Sequence, residues 1–268
     1  MKTFLKWAGN KSQIKELISK HIDARNSSFI EPFVGSCAIS LNIEAKNYIL
    51  NDINPDLINL YKTILSDDSF VEYAKSFFID ENNSSEQYYK FRKLFNETKD
   101  VRLKSALFIY LNKHTFNGLC RYNKNGQFNS PYGRYKKPYF SEKEIIDFKT
   151  KFKNASFDCQ DFRETMLKAK KNDVIYCDPP YVAISKTSNF TSYTKDGFNQ
   201  KDQQDLMNLA EKLRKKGVTV IISNHDTAES RELYKDANKI ESFEVQRYIS
   251  CIGVNRNRAN ELLAVYSA

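Results

Sequence analysis

The tetrapeptide Asp178-Pro179-Pro180-Tyr181 packs more chemistry into a short span than any other part of this sequence. Two consecutive prolines fix φ and remove two amide donors, which leaves extended backbone whose carbonyl oxygens can accept. The exocyclic amine of adenine has two N–H donors and a lone pair delocalised into its ring. A carboxylate and a carbonyl that take both hydrogens favour the pyramidal nitrogen that can attack a methyl sulfonium, and a tyrosine face can stack on an extruded base. The same four residues also describe a rigid turn with a capping aspartate and a core tyrosine. Position favours chemistry, because the tetrapeptide directly follows Val174-Ile175-Tyr176-Cys177, the most strand-like run in the chain. Open α/β sheets bind ligands at the carboxyl ends of such strands.

A second group is Phe33-Val34-Gly35-Ser36-Cys37, at a strand-to-helix turn where Gly35 lets backbone approach a ligand, with Asp52 ending the next strand. An acidic residue near that spacing reaches ribose hydroxyls in nucleotide-binding folds. The full Gly-x-Gly-x-x-Gly is absent, which argues against a dinucleotide and suits S-adenosylmethionine, a ligand with ribose and adenine but no phosphate. An ordinary turn followed by a helix-starting aspartate would look the same.

The third group is Lys113 to Lys137, with six basic residues and no acidic one, interleaved with Phe116, Tyr122, Phe128, Tyr132 and Tyr135. Basic groups neutralise phosphates, Arg and Asn address base edges, and aromatic rings stack or wedge. A flexible solvated loop is the plainer alternative, although five aromatics would be costly to expose without purpose. Asn224-His225-Asp226 ends a further strand, and Asp226 reads as a helix N-cap.

These groups need a scaffold. With 268 residues, 41% of them hydrophobic, the chain can bury one sizeable core or a core plus a smaller lobe. A net charge of +9 favours a polyanionic partner or serves solubility. No apolar run approaches the ~18 residues of a membrane span, and Met1 to Trp7 lacks a secretory apolar stretch. Five scattered cysteines without a Cys-x-x-Cys pair suggest a reducing cytoplasm and no structural zinc. Three histidines leave little material for a metal centre or triad, so no metal is expected.

Hydrophobic spacing predicts a helix over Lys11 to Ile22, a strand at Phe29-Ile30, a crossover helix over Ser36 to Lys46 and a strand at Tyr48 to Leu50, together a parallel βαβ unit. A helical insertion should run from Pro55 to about Lys113 without strands. Strands follow at Ala155 to Cys159, Asp173 to Cys177 and Val218 to Ile222, with helices from Asp161 and over Gln203 to Lys216. Near-continuous apolar strands alternating with helices indicate a doubly wound α/β sheet. Ile240 to Ile249 and Glu261 to Tyr266 lack a crossover between them and should close it as an antiparallel pair.

Taken in order, these groups resemble the Dam family of DNA adenine-N6 methyltransferases. The matching pieces are Lys6-Trp7-Ala8-Gly9-Asn10-Lys11, Glu31-Pro32-Phe33-Val34-Gly35, Asn117 to Asn123, Pro131 to Phe140, Tyr176 to Tyr181, Asn189 to Tyr193, Ile222 to Thr227 and Glu261 to Ala264, essentially the whole chain. The resemblance implies a seven-strand, Rossmann-like methyltransferase sheet, residues 1–54 and 141–268, with a helical target-recognition lobe inserted over residues 55–140. It implies methyl transfer from S-adenosylmethionine to N6 of an adenine flipped from double-stranded DNA, within GATC, in a bacterial cytoplasm, whether nucleoid-associated or phage-encoded. Neither a membrane nor an obligate protein partner is implied. Asp178, Pro179, Pro180 and Tyr181 would be catalytic. Trp7, Ala8, Gly9, Lys11, Glu31, Pro32, Phe33, Gly35, Ser36, Asp52, Asp161, Phe162 and Asp178 would bind the cofactor. Lys6, Phe116, Asn117, Leu119, Arg121, Asn123, Pro131, Arg134, Tyr135 and Lys136 would bind DNA, with Phe116 and Asn117 where the duplex is invaded.

Two departures from the pattern stand on the cofactor side. Asn10 replaces the usual Gly, and Cys37 replaces a small residue, usually Gly, which is expected to weaken cofactor binding or make activity sensitive to thiol oxidation. A DNA-binding protein without catalysis and an enzyme acting on cytosine N4 or an RNA base are the rival readings.

Overall fold

The computed structural model describes residues 1–9, 11–180, 198–246 and 258–267. Asn10, Tyr181, Asn189 to Tyr193 and Cys251, which entered the sequence reading, lie outside the described residues.

Apolar, β-branched runs supply the strands. The described residues form one seven-stranded sheet from β1 (Ala24–Glu31), β2 (Ala45–Asn51), β3 (Ser156–Asp158), β4 (Val174–Cys177), β5 (Thr219–His225), β6 (Lys239–Gln246) and β7 (Arg258–Tyr266). Their order is β3-β2-β1-β4-β5-β7-β6, parallel from β3 to β5, with β7 antiparallel to β5 and to β6. This is the expected α/β sheet with its antiparallel closing pair. The strand order reverses between β1 and β4, so the loops after these two strands diverge and open a crevice at their carboxyl ends.

Both sheet faces are covered. Ile30, Ile175, Val220 and Ile222 pack with Leu206, Ala210 and Leu213 of α8 (Gln200–Arg214). Phe29, Val174, Tyr176 and Ile221 pack on the other face with Ile14, Ile18, Ile39 and Ile43. The strand-free stretch after Pro55 is helical as expected, comprising α2 (Pro55–Ser66), α3 (Phe70–Lys75), α4 (Ser85–Glu97) and α5 (Val101–His114). Asn54 starts α2 by accepting from the Asp56 and Leu57 amides, and Pro55 occupies the first helical position, where no amide is needed. The buried Tyr61 of α2 packs 4.9 Å from Phe148 and 5.1 Å from Phe157, so the inserted helices share a core with the sheet.

Three local expectations are corrected. No α-helix crosses between β1 and β2: Ser36 to Lys46 forms turns and a short 3-10 helix, Ser40–Asn42. Cys37 sits at φ +60°, a left-handed backbone that no α-helix continues through, and the Tyr48 hydroxyl donates to the Ile43 carbonyl and accepts from the Ala45 amide, tying the far end into a loop. The first helix is broken into a 3-10 turn, Lys11–Gln13, and α1 (Lys15–Ser19). The helix after β5, α9 (Ala228–Leu233), is capped by Thr227 and not Asp226: Thr227 and Ser230 form a reciprocal capping box while Asp226 pairs with Arg231 at 2.6 Å. Two further helices, α6 (Glu142–Lys151) and α7 (Phe162–Met166), complete the set, α7 being the helix expected from Asp161.

Candidate functional site

Asp178 leaves the carboxyl end of β4 with its side chain half-buried, and its Oδ1 accepts from Ser223 Oγ at 2.8 Å and lies 3.1 Å from Lys11 Nζ. Ser223 reaches it because β5 runs parallel to β4, with Cys177 opposite Ile222. Lys11 is buried and also stands 3.7 Å from Glu261 Oε2 and 3.2 Å from the Gly9 carbonyl. Pro179 is buried. The Pro180 carbonyl accepts from Gln203 Nε2 at 3.4 Å. Gln203 is itself held by Tyr234 at 3.1 Å and Asn224 at 3.4 Å, so a buried polar network fixes the backbone after Asp178.

The turn after β1 is equally constrained. Gly35 has φ +45°, and a side chain there would meet the Trp7 indole nitrogen at 2.7 Å, so only glycine lets the ring lie on the turn. Asp52 Oδ2 accepts from the Gly35 amide at 3.0 Å and its Oδ1 from the Asn54 amide at 3.0 Å. The Gly35 carbonyl accepts from the Tyr61 hydroxyl. The Pro32 carbonyl accepts from Asn51 Nδ2 at 3.0 Å, and the Val34 amide donates to the Asn51 carbonyl at 2.8 Å. Ser36 is buried in the same turn.

Carboxyl groups gather under this turn. Glu31 is buried, with Ser40 N–H donating to its Oε2 at 3.3 Å. Burial pushes its carboxyl up to about 8; the Ser40 hydrogen bond pulls it down, and the neighbouring Asp178 and Asp52 push it up further. Loss of water also raises Asp52, against the pull of the Asn54 and Gly35 amides. Cys37 is fully buried, and burial first, then Glu31, holds its thiol well above the usual range, which disfavours the thiolate that oxidation requires.

Trp7, Gly9, Lys11, Glu31, Gly35, Asp52 and Asp178 thus meet at the switch between β1 and β4, with Ala8 half-buried between Trp7 and Gly9. Phe33 and Phe162 meet beside them, ring centroids 5.2 Å apart, with Phe198 5.7 Å from each. The Asp161 carboxylate is engaged within the protein: it caps α7 through the Arg163 amide and pairs with the Arg163 guanidinium at 2.9 Å.

The basic segment is an ordered loop system. Thr115 pairs with Tyr132 and Tyr122 with Phe128 in isolated antiparallel bridges. Lys6 Nζ lies 4.0 Å from the centre of the Tyr135 ring, and the Tyr135 hydroxyl accepts from the Asn117 amide at 3.0 Å. Asn112, buried at the end of α5, accepts from the Lys6 amide at 2.9 Å and donates to the Lys6 carbonyl at 2.7 Å. Phe116, Asn117, Arg121, Pro131, Arg134 and Lys136 are exposed and Leu119 is half-buried. Arg121 is oriented by Asn129 Oδ1 at 2.8 Å, and the Pro131 carbonyl accepts from the Phe116 amide at 2.9 Å. Asn123 is committed to its hairpin, with Oδ1 accepting from the Asn125 and Gln127 amides and Nδ2 donating to Gln127 Oε1.

A model of the D12 class N6 adenine-specific DNA methyltransferases matches residues 7–249. The chain belongs to this family. Proteins named DNA adenine methylase are similar over nearly its whole length. The one from Vibrio cholerae serotype O1 (El Tor Inaba N16961) is 46% identical over 99% of this chain and 96% of its own. That from Serratia marcescens is 47% identical, covering 99% and 98%, and that from Escherichia coli K12 is 44% identical, covering 99% and 95%.

For an adenine-specific DNA methyltransferase, the residues left without a site role by the sequence, although Ser223 and Glu261 lie in matching pieces, are those arriving across the sheet. Ser223, Gln203 and Tyr234 hold Asp178 and Pro180. Glu261 reaches Lys11 because β7 pairs with β5, Glu261 opposite His225. A polar residue interrupting an apolar run, as Ser223 does after Val220-Ile221-Ile222, is the signal that could have found the first of them.

Proposed function

We propose that this methyltransferase moves the methyl group of S-adenosylmethionine to N6 of an adenine turned out of duplex DNA, with GATC as its site. The observation that carries the reading is the Asp178 carboxylate at the switch point, bound by Ser223 and Lys11 and followed by the buried Pro179. Asp178 and the Pro179 carbonyl take the two hydrogens of N6 and leave the nitrogen lone pair for attack; Tyr181 stacks on the base. Asp178 acts as an acceptor, and the proton departs to solvent.

The cofactor pocket fits a cation. Glu31 lies near Asp52 and Asp178, Lys11 pairs with Asp178, and burial makes the charge on Glu31 unfavourable until a positive group arrives. S-adenosylmethionine, when bound, supplies a methyl group activated by a sulfonium and carries an ammonium as well. Asp52 takes the ribose hydroxyls, Trp7, Ala8, Gly9, Pro32 and Ser36 shape the wall around Gly35, and Phe33, Asp161 and Phe162 line the adenine end.

Residues 1–54 and 141–268 form the catalytic part, and residues 55–140 carry target recognition. Lys6, Leu119, Arg121, Pro131, Arg134 and Tyr135 read or clamp the site, Asn123 and Lys136 lie along the backbone, and Phe116 with Asn117 enter the duplex. The exposure of Phe116, Asn117, Arg121 and Arg134 on one ordered loop system and the net charge of +9 support this division. The enzyme then works in the cytoplasm, where the DNA is.

The test is transfer of labelled methyl to two duplexes that differ only at the GATC adenine, intact in one and replaced by 2-aminopurine in the other. Label on the adenine duplex alone is the expected result. Equal label on both would move the target to another base, and label on neither, with no binding of S-adenosylmethionine, would remove the reading.

A further inference from the structure

Arg163 joins two elements that the sequence gives no reason to connect. Its guanidinium donates to Asp161 Oδ2 at 2.9 Å, to Asp202 Oδ1 at 2.5 Å and, through Nε and Nη2, to Asp205 Oδ2 at 3.0 and 2.7 Å. The same group lies 4.4 Å from the centre of the Phe162 ring. Asp161 is the cap of α7, and Asp202 closes the capping box of α8 by accepting from the Asn199 amide at 2.9 Å. One side chain therefore fastens the first turn of α7 to the first turn of α8.

Between these turns stand Phe162 and Phe198, and both rings meet Phe33 of the turn after β1. Neither α7 nor α8 has another charged bond that spans the gap at this point among the described residues. A planar guanidinium on α7 that donates through two nitrogens to Asp202 and Asp205 of α8 fixes the approach of the two helices, which a lysine's single point charge would not.

We propose that Arg163 is a positioning residue for the methyl donor: by locking α7 to α8 it sets Phe162 and Phe198 against Phe33, and so sets the affinity for S-adenosylmethionine. The inference rests on the function proposed above and deepens it. Arg163 is placed to touch neither the reacting atoms nor DNA. Its removal acts on donor binding, leaving the chemical step and duplex binding as they are.

The experiment titrates S-adenosylmethionine into wild type, Arg163→Ala, Arg163→Lys and Asp205→Asn, following the fluorescence of Trp7, the only tryptophan, and in parallel measures kcat and KM for donor and for duplex. Loss of the fork should weaken donor binding and raise its KM roughly tenfold in Arg163→Ala, less in Arg163→Lys, with kcat and the duplex KM within about twofold of wild type. Asp205→Asn, which keeps the Asp161 and Asp202 bonds, should fall between wild type and Arg163→Ala. Unchanged donor affinity in Arg163→Ala overturns the proposal. Equal losses in kcat, duplex KM and thermal midpoint also overturn it, since they would make Arg163 a general strut. If wild type itself neither binds the donor nor transfers methyl, the proposed function fails first; wild-type activity with an indifferent Arg163 removes this inference alone.

Discussion

Replacing Glu31 by glutamine tests whether the buried carboxylate cluster is built for a cationic donor. Glu31 is buried, and its carboxyl is pushed up to about 8, chiefly by loss of water, so at pH 7 only about one molecule in ten carries the charge. A donor bearing sulfonium and ammonium groups binds the ionised form better, and binding at pH 7 should release about 0.9 proton from this site. The same shift costs about 1.4 kcal/mol per pH unit, so wild-type affinity should rise about tenfold between pH 7 and pH 9. Calorimetry at pH 7 in two buffers of different ionisation enthalpy counts the protons. Glu31→Gln should release none from this position and show a flatter pH profile. Stability gives a second readout with a definite sign. A folded pKa raised above the usual 4.5 of a free glutamate makes the ligand-free protein lose stability as pH climbs from 4.5 through 8, by about 1.4 kcal/mol per unit across that window. The thermal midpoint of Glu31→Gln should therefore fall less than that of wild type between pH 5 and 8. Equal proton release by the two proteins, or equal pH slopes of stability, would refute the reasoning.

Ser223→Ala removes a hydrogen bond to a carboxylate, worth about 1.5 kcal/mol, and should lower kcat roughly tenfold with duplex affinity retained in gel-shift titrations; Asp178→Ala should abolish transfer in the same assay. Asn112→Ala strands the amide and carbonyl of Lys6, a loss of about 1–3 kcal/mol seen in chemical denaturation, and should also relax discrimination between GATC and near-cognate duplexes. Duplex affinity should fall with salt at a log-log slope of about −0.9 per phosphate neutralised, and Lys136→Ala should reduce that slope if the exposed basic loop lies on the backbone; a flat response would take the loop off the DNA.

Much of the sheet was legible because its strands are short apolar runs bounded by polar turns, and these signals are local. Val174 to Cys177 and Val220 to Ile222 are buried throughout, as strands covered on both faces must be. The failures have local causes of another kind. Ser36 to Lys46 has helical length and apolar spacing, but the turn at Gly35 and Cys37 takes positive φ at two residues in three and no helix can propagate through it. The shift of the α9 cap from Asp226 to Thr227 turned on Arg231, which claims the Asp226 carboxylate through a contact that spacing alone does not reveal. In the site, Asp178 and Asp52 could be read because each directly follows a strand, and Gly35 because a glycine marks the turn after one. Glu261 could not, and Ser223 only as a polar break in an apolar run, since they approach Lys11 and Asp178 through the pairing of β4, β5 and β7.

The most consequential of these long-range contacts is Asn112, because it makes the two halves of the proposed function mechanically adjacent. Lys6 and Trp7 are neighbours in sequence. The first stacks on Tyr135 of the basic loop and the second lies on the Gly35 turn. Asn112 binds both backbone groups of Lys6 from the end of α5, and Gly118, at φ +67°, leaves room for the Lys6 side chain that any other residue would displace, its Cβ falling 2.2 Å from that of Lys6. A shift of the loop that carries Asn117 and Tyr135 must therefore move Lys6 or break these contacts, and Lys6 cannot move far without lifting Trp7 from the Gly35 turn. Packed contacts of this kind carry displacement because interiors are close to crystal density and deform little. Duplex engagement and donor affinity should then be coupled through residues 6 and 7, and the coupling should weaken in Asn112→Ala even where each ligand still binds.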